Sequence, residues 1–470
     1  MTATVAGRRT RKGMVVAATA AMVVAGGLPT AAHATGAPPA TTQAAQAGYA
    51  YGLPLMTSLR TRAASVCHTP VNTFQHSSRL ATPADRTVVA PNNDTLYSIA
   101  WLDLRKGPVL LSSPKAAGRY YDFQLLDAYT NSFANVGTRT VIGNRSRVAV
   151  LPPGWSGRLP AGVVTVVVAP TPDVWVIGRT SVKGPRDVAA VTKLQQRYTL
   201  SAVHGVDGRP QPMPNATPEL AAVDCANPPS PQAPASGGVG FYDELSRDLA
   251  ADPPPAADVA LVSQLRAVGI GAGLTPTRTL PAARVDKLTA GLAAGQKGIA
   301  ALIAAAGAPN NHGWSINYHL GTYGQRYALR AVVAVTGLGA NVPSEALYFS
   351  ARADITGAPL TGTKSYRLHF SSGQLPPVTA SGFWSVTMYG ADRFLVDNPI
   401  NRYSIGDRTP GLTRNPDGSL DLILSRARPA GSAANCLPAP AGPFGLLLRL
   451  YAPAPAAANG TWPAPVITAR

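Results

Sequence analysis

The sequence is poor in cysteine and lacks the short motifs of several common classes of enzyme. Of its 470 residues only Cys67, Cys225 and Cys436 are cysteines, and no two are close enough to form half of a zinc site. There is no GxSxG nucleophile elbow, no HExxH motif, no dinucleotide fingerprint and no phosphate-cradling loop. These absences exclude the enzymes that depend on those motifs, and we expect neither a metal nor a cofactor.

Acidic residues are also scarce, numbering 23 against 41 Lys and Arg, which gives a net charge of +18. A basic surface favours acidic partners, and we expect an acidic or neutral glycan. The alternative is that the surplus of arginine has no binding role. Nucleic acid is not expected, because the sequence has no long Lys/Arg run, no zinc-finger spacing and no basic helix. An oligomer is compatible with the sequence.

The first 34 residues have the pattern of a signal peptide. Basic residues at positions 8–12 precede an apolar run at 14–28, and Ala-His-Ala at 32–34 supplies a cleavage site. The run is shorter than the roughly 20 residues that span a bilayer, although an uncleaved anchor is the alternative. No later stretch predicts a stable span. We therefore expect a secreted or extracytoplasmic protein, exported by the Sec route or, given Arg8-Arg9, by the twin-arginine route.

The odd number of cysteines in an exported protein predicts one disulfide and one further thiol. Cys225 lies in a loop-like segment and Cys67 in the N-terminal region, so Cys67–Cys225 is the favoured pair.

The chain is predicted to be mainly β with a helical segment, forming two β-sandwich or jelly-roll-like domains joined by helices. Short alternating or apolar runs separated by Pro, Gly and Asn mark the strands, of which 163–169 is the clearest buried one. Four-residue spacing of apolar side chains predicts a helix over 49–62. The expected parts are an N-terminal tail and helical region (35–86), a first β domain (87–185), a helical region (186–317) with a Pro-rich insertion at 204–238, and a second β domain (318–470).

The predicted strand at 96–104 carries the first candidate site residues. Because successive side chains point to opposite faces, Tyr97, Ile99, Trp101 and Asp103 share one face. Aromatic rings beside a carboxylate suit a ligand surface, with Tyr97 and Trp101 binding and Asp103 catalytic. The alternative is that this face packs against the helical region.

A second group of candidates lies near the strand at 119–126. Asp122 shares a face with Tyr120, next to Arg119, and Asp94 lies in the polar loop before Tyr97. Two carboxylates about 5 to 9 Å apart can hydrolyse a glycosidic bond, and a raised pKa would mark the acid. We predict Asp94 or Asp122 as the acid/base and Arg119 and Tyr120 as ligand-binding residues. Clustered acidic residues are also common on ordinary surfaces.

Two further candidates lie in the C-terminal half. Arg402 lies in the loop 397–408, where paired Asp and Arg residues either form ion pairs that shape the loop or clamp an anionic ligand. Trp314 follows the turn at 310–313 and would line a cleft between the helical region and the second β domain.

Two sets of motifs resemble a known pair of domains. The first set resembles domain of unknown function 1254, and it comprises PNNDTLYS at 91–98, WLD at 101–103, GRYY at 118–121 and LDAYTN at 126–131. The second resembles domain of unknown function 1214, and it comprises LPP at 375–377, FWSVTMY at 383–389, residues 397–410, GPF at 442–444 and RLY at 449–451. Together they cover most of residues 48–465. The resemblance implies two β-sandwich or jelly-roll-like domains joined by a helical segment, but no agreed activity, so no catalytic residue follows from it. One departure is Cys436, where the family usually has Trp.

The sequence leaves two functions open. One is an exported hydrolase or other carbohydrate-active enzyme that acts on a cell-wall or acidic polysaccharide. The alternative is a non-catalytic, secreted glycan- or partner-binding protein of the envelope. A first domain without a concave pocket near Asp94 and Trp101 would favour the binding protein.

Overall fold

The computed structural model describes residues 40–86, 89–116, 118–140, 146–159, 165–204, 213, 217–220, 222–427 and 434–470. The predicted signal peptide lies outside these residues, as does part of the predicted Pro-rich insertion. The described chain forms two β-sandwiches and a layer of helices, which confirms the predicted fold class.

The helical layer is built around one long N-terminal helix. Helix α1 is rich in Ala and Leu and is buried along most of its length, because it packs against α3, α4, α6 and α7. The helices are α1 (Thr41–Val66), α2 (Val188–Gln195), α3 (Phe241–Ala251), α4 (Val259–Ala267), α5 (Pro276–Thr279), α6 (Ala282–Ala305), α7 (Tyr327–Thr336) and α8 (Pro455–Ala458).

Helix α6 approaches α1 closely because two of its glycines face that helix. A Cβ at Gly291 would lie 2.4 Å from the Thr42 carbonyl oxygen, and one at Gly295 would lie 2.7 Å from the Tyr49 ring. By length and composition α6 could cross a membrane, with a mean hydropathy of 1.3, although the sequence was expected to hold no such later stretch. Here it is packed on α1.

The first sandwich consists of two sheets with apolar side chains between them. The five-stranded sheet has the order β1-β2-β8-β4-β5, and the four-stranded sheet has the order β7-β6-β3-β9. Its strands are β1 (Gln75–His76), β2 (Thr95–Asp103), β3 (Val109–Ser113), β4 (Tyr121–Asp127), β5 (Ser132–Gly137), β6 (Ser146–Leu151), β7 (Thr165–Val168), β8 (Asp173–Ser181) and β9 (Thr199–Ala202). Alternate residues such as Leu102, Phe123 and Val176 fill the core.

The second sandwich repeats this arrangement with two four-stranded sheets, ordered β10-β16-β12-β13 and β15-β14-β11-β17. Its strands are β10 (Ala346–Ala351), β11 (Tyr366–Phe370), β12 (Val378–Gly390), β13 (Ser404–Gly406), β14 (Leu420–Ser425), β15 (Cys436–Pro438), β16 (Phe444–Pro453) and β17 (Val466–Ala469). Phe349, Trp384, Leu422 and Leu448 are part of its core.

The strand predicted as the clearest buried one is exposed. Val166 and Val168 of β7 are 47% and 59% exposed. Among the described strands it lies at the edge of its sheet and pairs with β6, in parallel. Its β-branched residues therefore reflect strand propensity and not burial.

The predicted disulfide is present between Cys67 and Cys225, and it joins the end of α1 to the segment before α3. Cys436 lies buried in β15 and is not part of this disulfide.

Candidate active site between the two sandwiches

One row of polar side chains crosses the outer face of the first sandwich. Tyr97 on β2 is directly opposite Arg179 on β8, and Arg179 is directly opposite Asp122 on β4. The alternation of the strands sends Ala100 and Phe123 into the core and these three residues to the other face. The guanidinium of Arg179 lies 5.8 Å from the centre of the Tyr97 ring.

The second sandwich presents a matching row on its own outer face. Tyr348 on β10 is opposite Arg449 on β16, and Arg449 is opposite Ser385 on β12. The neighbouring residues Leu448 and Val386 point into the core. Each sandwich thus contributes a tyrosine, an arginine and an oxygen-bearing side chain, in the same order across three paired strands.

The two rows lie close together. The charge of Arg179 interacts with the phenols of Tyr97, Tyr348 and Tyr451, although Tyr348 and Tyr451 belong to the other sandwich. Tyr451 in turn interacts with Arg449 and Tyr97. Burial raises the pKa of Tyr348 and of Tyr451, so both phenols keep their protons at neutral pH.

The loop before β2 closes one end of the site. The Asn92 side-chain amide donates to the Tyr451 hydroxyl at 2.8 Å, and Arg449 Nη2 donates to the Ala90 carbonyl at 2.9 Å. Ala90 has a positive φ of 54°, an uncommon conformation for a residue with a side chain. The PNNDTLYS motif therefore attaches the first sandwich to the second.

Asp94 belongs to this attachment. It is 3% exposed and accepts hydrogen bonds from Ser385 Oγ at 2.5 Å, Ser404 Oγ at 3.4 Å and Arg408 Nη2 at 3.2 Å. All three donors come from the second sandwich. The structure therefore places the predicted acid/base Asp94 between the two domains, with both carboxylate oxygens already hydrogen-bonded.

A second attachment lies at the opposite edge of the rows. Asp122 accepts hydrogen bonds from the side-chain amides of Asn135 at 3.1 Å and Asn341 at 2.8 Å. The Tyr120 hydroxyl donates to Glu345 Oε1 at 2.8 Å. Burial, followed by the charge of Glu345, raises the pKa of Asp122 to about 8. Asp122 is therefore mostly protonated at neutral pH.

The arginines of the two rows are buried cations that form no close ion pair in the described chain, although Asp122 interacts electrostatically with Arg179 and Asp94 with Arg449. Arg179 is 6% and Arg449 3% exposed, yet within the described chain no carboxylate oxygen lies within 4.0 Å of either guanidinium. They donate instead to neutral groups, such as Gln124 Oε1 and Thr387 Oγ1. Burying a charge without a close counter-charge is costly, so an anionic group beside these guanidiniums would offset that cost.

Four side chains on these two faces are partly exposed, namely Tyr97 and Ile99 on β2, Tyr348 on β10 and Leu447 on β16. Tyr97 is directly opposite Arg179, and Tyr348 is directly opposite Arg449.

The structure places the remaining predicted residues away from the two rows. Asp103 is at the far end of β2 and bonds to Arg105 at 3.0 Å. Trp101 is buried and stacks on Trp175, with ring centres 5.1 Å apart. Trp101 and Asp103 therefore fit the alternative in which their face of β2 packs against other parts of the protein and does not bind a ligand.

The other three candidates have structural contacts. Arg119 forms an ion pair with Asp187, whose pKa is lowered. Trp314 is fully buried in the second sandwich, and its indole N–H donates to the Pro465 carbonyl at 2.7 Å. Arg402 donates to the Cys436 carbonyl at 2.9 Å and so holds β15.

Sequence reasoning missed Arg179, Arg449, Tyr348 and Glu345. On β8, Val174 and Val176 point into the core. Because side chains alternate along a strand, this pattern alone would have placed Arg179 on the opposite face. Within the described residues, no three His, Cys, Asp or Glu side chains form a group that would hold a metal ion.

Comparison with known proteins identifies the two units. A family described as protein of unknown function (DUF1254) matches residues 71–202, and a second, protein of unknown function (DUF1214), matches residues 345–455. The chain therefore belongs to the family that combines these two domains, as the motifs predicted. Each domain contributes one of the two rows. No curated protein matches the chain.

A solved structure of a similar protein supports the fold. The crystal structure of the VPA0106 protein from Vibrio parahaemolyticus is 23% identical, covers 92% of this chain and 100% of its own, and superposes with a TM-score of 0.70. An uncharacterised protein from Burkholderia cenocepacia is 12% identical over 90% of this chain and 87% of its own, with a TM-score of 0.44.

Proposed function

We propose that this protein is an exported carbohydrate-active enzyme that cleaves an acidic polysaccharide at the site between its two sandwiches. The observation that carries the proposal is the pair of facing Tyr–Arg rows, whose buried arginines form no close ion pair in the described chain. The net charge of +18 and the signal-peptide pattern agree with an exported protein that meets acidic polymers.

In this site Arg179 and Arg449 bind a carboxylate of the sugar. A guanidinium recognises a carboxylate through two parallel hydrogen bonds, and its charge acts strongly where water is excluded. Tyr97 and Tyr348, which are partly exposed and lie directly opposite the arginines, contact the sugar ring next to that carboxylate. Asp94, predicted as the acid/base, instead positions the two domains through Arg408 and the serines.

The test uses the mature protein from Thr35 onward, incubated with acidic and neutral polysaccharides and with purified cell-wall material. Soluble products are identified by mass spectrometry. We expect products from polymers that carry carboxylates and none from neutral polymers of the same linkage. Cleavage of neutral polymers alone would refute the proposal. Binding of acidic polymers without any product would favour the non-catalytic glycan-binding alternative.

Arginine variants locate the site. Arg179→Gln and Arg449→Gln should lose activity on acidic polymers, whereas Arg147→Gln, on the exposed side of β6, should retain it. Because a buried arginine also supports the fold, each variant is first compared with wild type by thermal unfolding. Arg179→Lys, which keeps the charge but not the two-pronged geometry, should be folded and bind the polymer more weakly. Full activity in both Gln variants would move the site elsewhere.

A further inference from the structure

Building on the proposed function, we propose that cleavage is a β-elimination and not a hydrolysis, with Tyr97 as the residue that moves the proton. The substrate is then a polymer that contains 4-linked uronic acid residues. Such a sugar carries a carboxylate at C5, which makes the C5 hydrogen removable, and a leaving oxygen at C4.

The carboxylates of the site already accept hydrogen bonds from other side chains. Hydrolysis by a pair of carboxylates needs one that can attack the sugar or activate water. Asp94 is bonded to Ser385 and Arg408, and Asp122 to two asparagine amides. Glu345 accepts hydrogen bonds from Tyr120 and from Arg139 Nε at 2.6 Å. No carboxylate among these three is open towards the space between the rows.

The Tyr97 hydroxyl is available to accept a proton from the substrate. Within the described chain it has no hydrogen-bond partner, and its side chain is partly exposed. The other two phenols are less available, since Tyr451 accepts from Asn92 and Tyr348 accepts from the Asn341 backbone N–H at 3.4 Å. Tyr97 therefore has a hydroxyl without a partner in the described chain, on a ring whose centre lies 5.8 Å from the Arg179 guanidinium.

The two arginines supply the positive charge that elimination requires next to the sugar carboxylate. Removal of the C5 proton places negative charge on the sugar carboxylate, and Arg179 and Arg449 stabilise that charge. The guanidinium of Arg179 lies 5.8 Å from the centre of the Tyr97 ring, so the proposed base and the proposed carboxylate-binding group are neighbours on one face of the sheet.

The reaction balances without a co-reactant. Tyr97 acts as the base in its deprotonated form, which it reaches by releasing its own proton to solvent. Its oxygen takes the proton from C5, and the C5–H electron pair forms the C4=C5 double bond. The C4–O4 bond breaks, and its electron pair goes to O4. The phenol then gives its proton to O4, which regenerates the phenolate. No water is consumed, so the products are one unsaturated uronate end and one ordinary sugar end.

The experiment digests 4-linked uronate polymers in water enriched in ¹⁸O and follows ultraviolet absorbance and product mass together. Elimination gives the absorbance of the C4=C5 uronate and no ¹⁸O beyond that exchanged at reducing ends in a control sugar. Hydrolysis gives one ¹⁸O per cleavage and no absorbance. The second result would overturn the elimination and leave the proposed function standing. The absence of any product from any polymer would overturn both.

Variants test the role of Tyr97. Tyr97→Phe should lower kcat by at least about 100-fold, as expected for loss of a proton-transfer group, with polymer binding retained. Tyr318→Phe, a partly buried tyrosine outside the site, should keep wild-type kcat. Both variants should unfold at the wild-type temperature. Unsaturated products formed at the wild-type rate by a folded Tyr97→Phe protein would refute the assignment of Tyr97.

Discussion

The attachment at Asp122 makes a prediction about the pH dependence of stability. The pKa of Asp122 is raised from 3.8 to about 8 by burial and by the charge of Glu345. Below about pH 4 the carboxyl is protonated in both the folded and the unfolded chain, so it does not affect stability. Between pH 4 and 8 the unfolded chain releases this proton and the folded chain keeps it. The free energy of unfolding therefore falls as the pH rises through this range.

The magnitude follows from the size of the shift. One pKa unit corresponds to about 1.4 kcal/mol, so Asp122 lowers the free energy of unfolding by at most about 4 kcal/mol between pH 5 and pH 8. Asp122→Asn cannot ionise in either state, and this contribution should disappear. The new amide also faces the amides of Asn135 and Asn341, which lowers stability at every pH. The slope with pH is therefore the quantity to compare.

The assay is denaturant unfolding of wild type, Asp122→Asn and Asp286→Asn at several pH values between about 5 and 8. Asp286 is exposed on α6, so its variant is the matched control and should keep the wild-type slope. Other buried carboxyls titrate in the same range, and all three proteins share them. An Asp122→Asn protein with the same slope as wild type would refute the reasoning.

Three shorter predictions concern stability. Asp94→Asn weakens a buried ion pair between the sandwiches and should lower the free energy of unfolding by about 3 kcal/mol in a denaturant titration. Reduction of Cys67–Cys225, which are 158 residues apart, should lower it by about 2 to 5 kcal/mol, and a Cys67→Ser protein should no longer respond to reductant. Gly291→Ala places a Cβ 2.4 Å from a backbone oxygen of α1 and should cost about 1 to 3 kcal/mol, whereas Gly298→Ala on the same helix, with its nearest atom at 4.0 Å, should raise the melting temperature.

The sequence predicted the fold class because local patterns define it. Alternating strands bounded by turn residues, and four-residue spacing in the helices, are properties of short segments. The same alternation correctly placed Tyr97 and Asp103 on one face of β2, with Leu102 in the core. It failed for β7, because whether a β-branched strand lies at the centre or the edge of a sheet depends on strand order and not on the strand itself.

The candidate site was predicted only in part, because it is made by long-range pairing. Tyr97 and Asp122 were found as single strand residues. Nothing near Tyr97 in the sequence indicates that Arg179 is its cross-strand partner, since β2 and β8 are separated by most of the first sandwich. The facing row of Tyr348 and Arg449 requires in addition that the two domains dock through their outer sheets.

The structure gives the acidic residues contacts that differ from their predicted roles, and the reason is electrostatic. A carboxylate in a chain with 23 acidic and 41 basic residues has many arginines available to pair with it. Asp94 was predicted as an acid/base, and the fold places it in hydrogen-bonding contact with Arg408 instead. Once the carboxylates near the interface are hydrogen-bonded in this way, Arg179 and Arg449 remain buried without a close ion pair in the described chain. This balance of charge is the reason why the proposed substrate is anionic and why the proposed chemistry is assigned to a phenol.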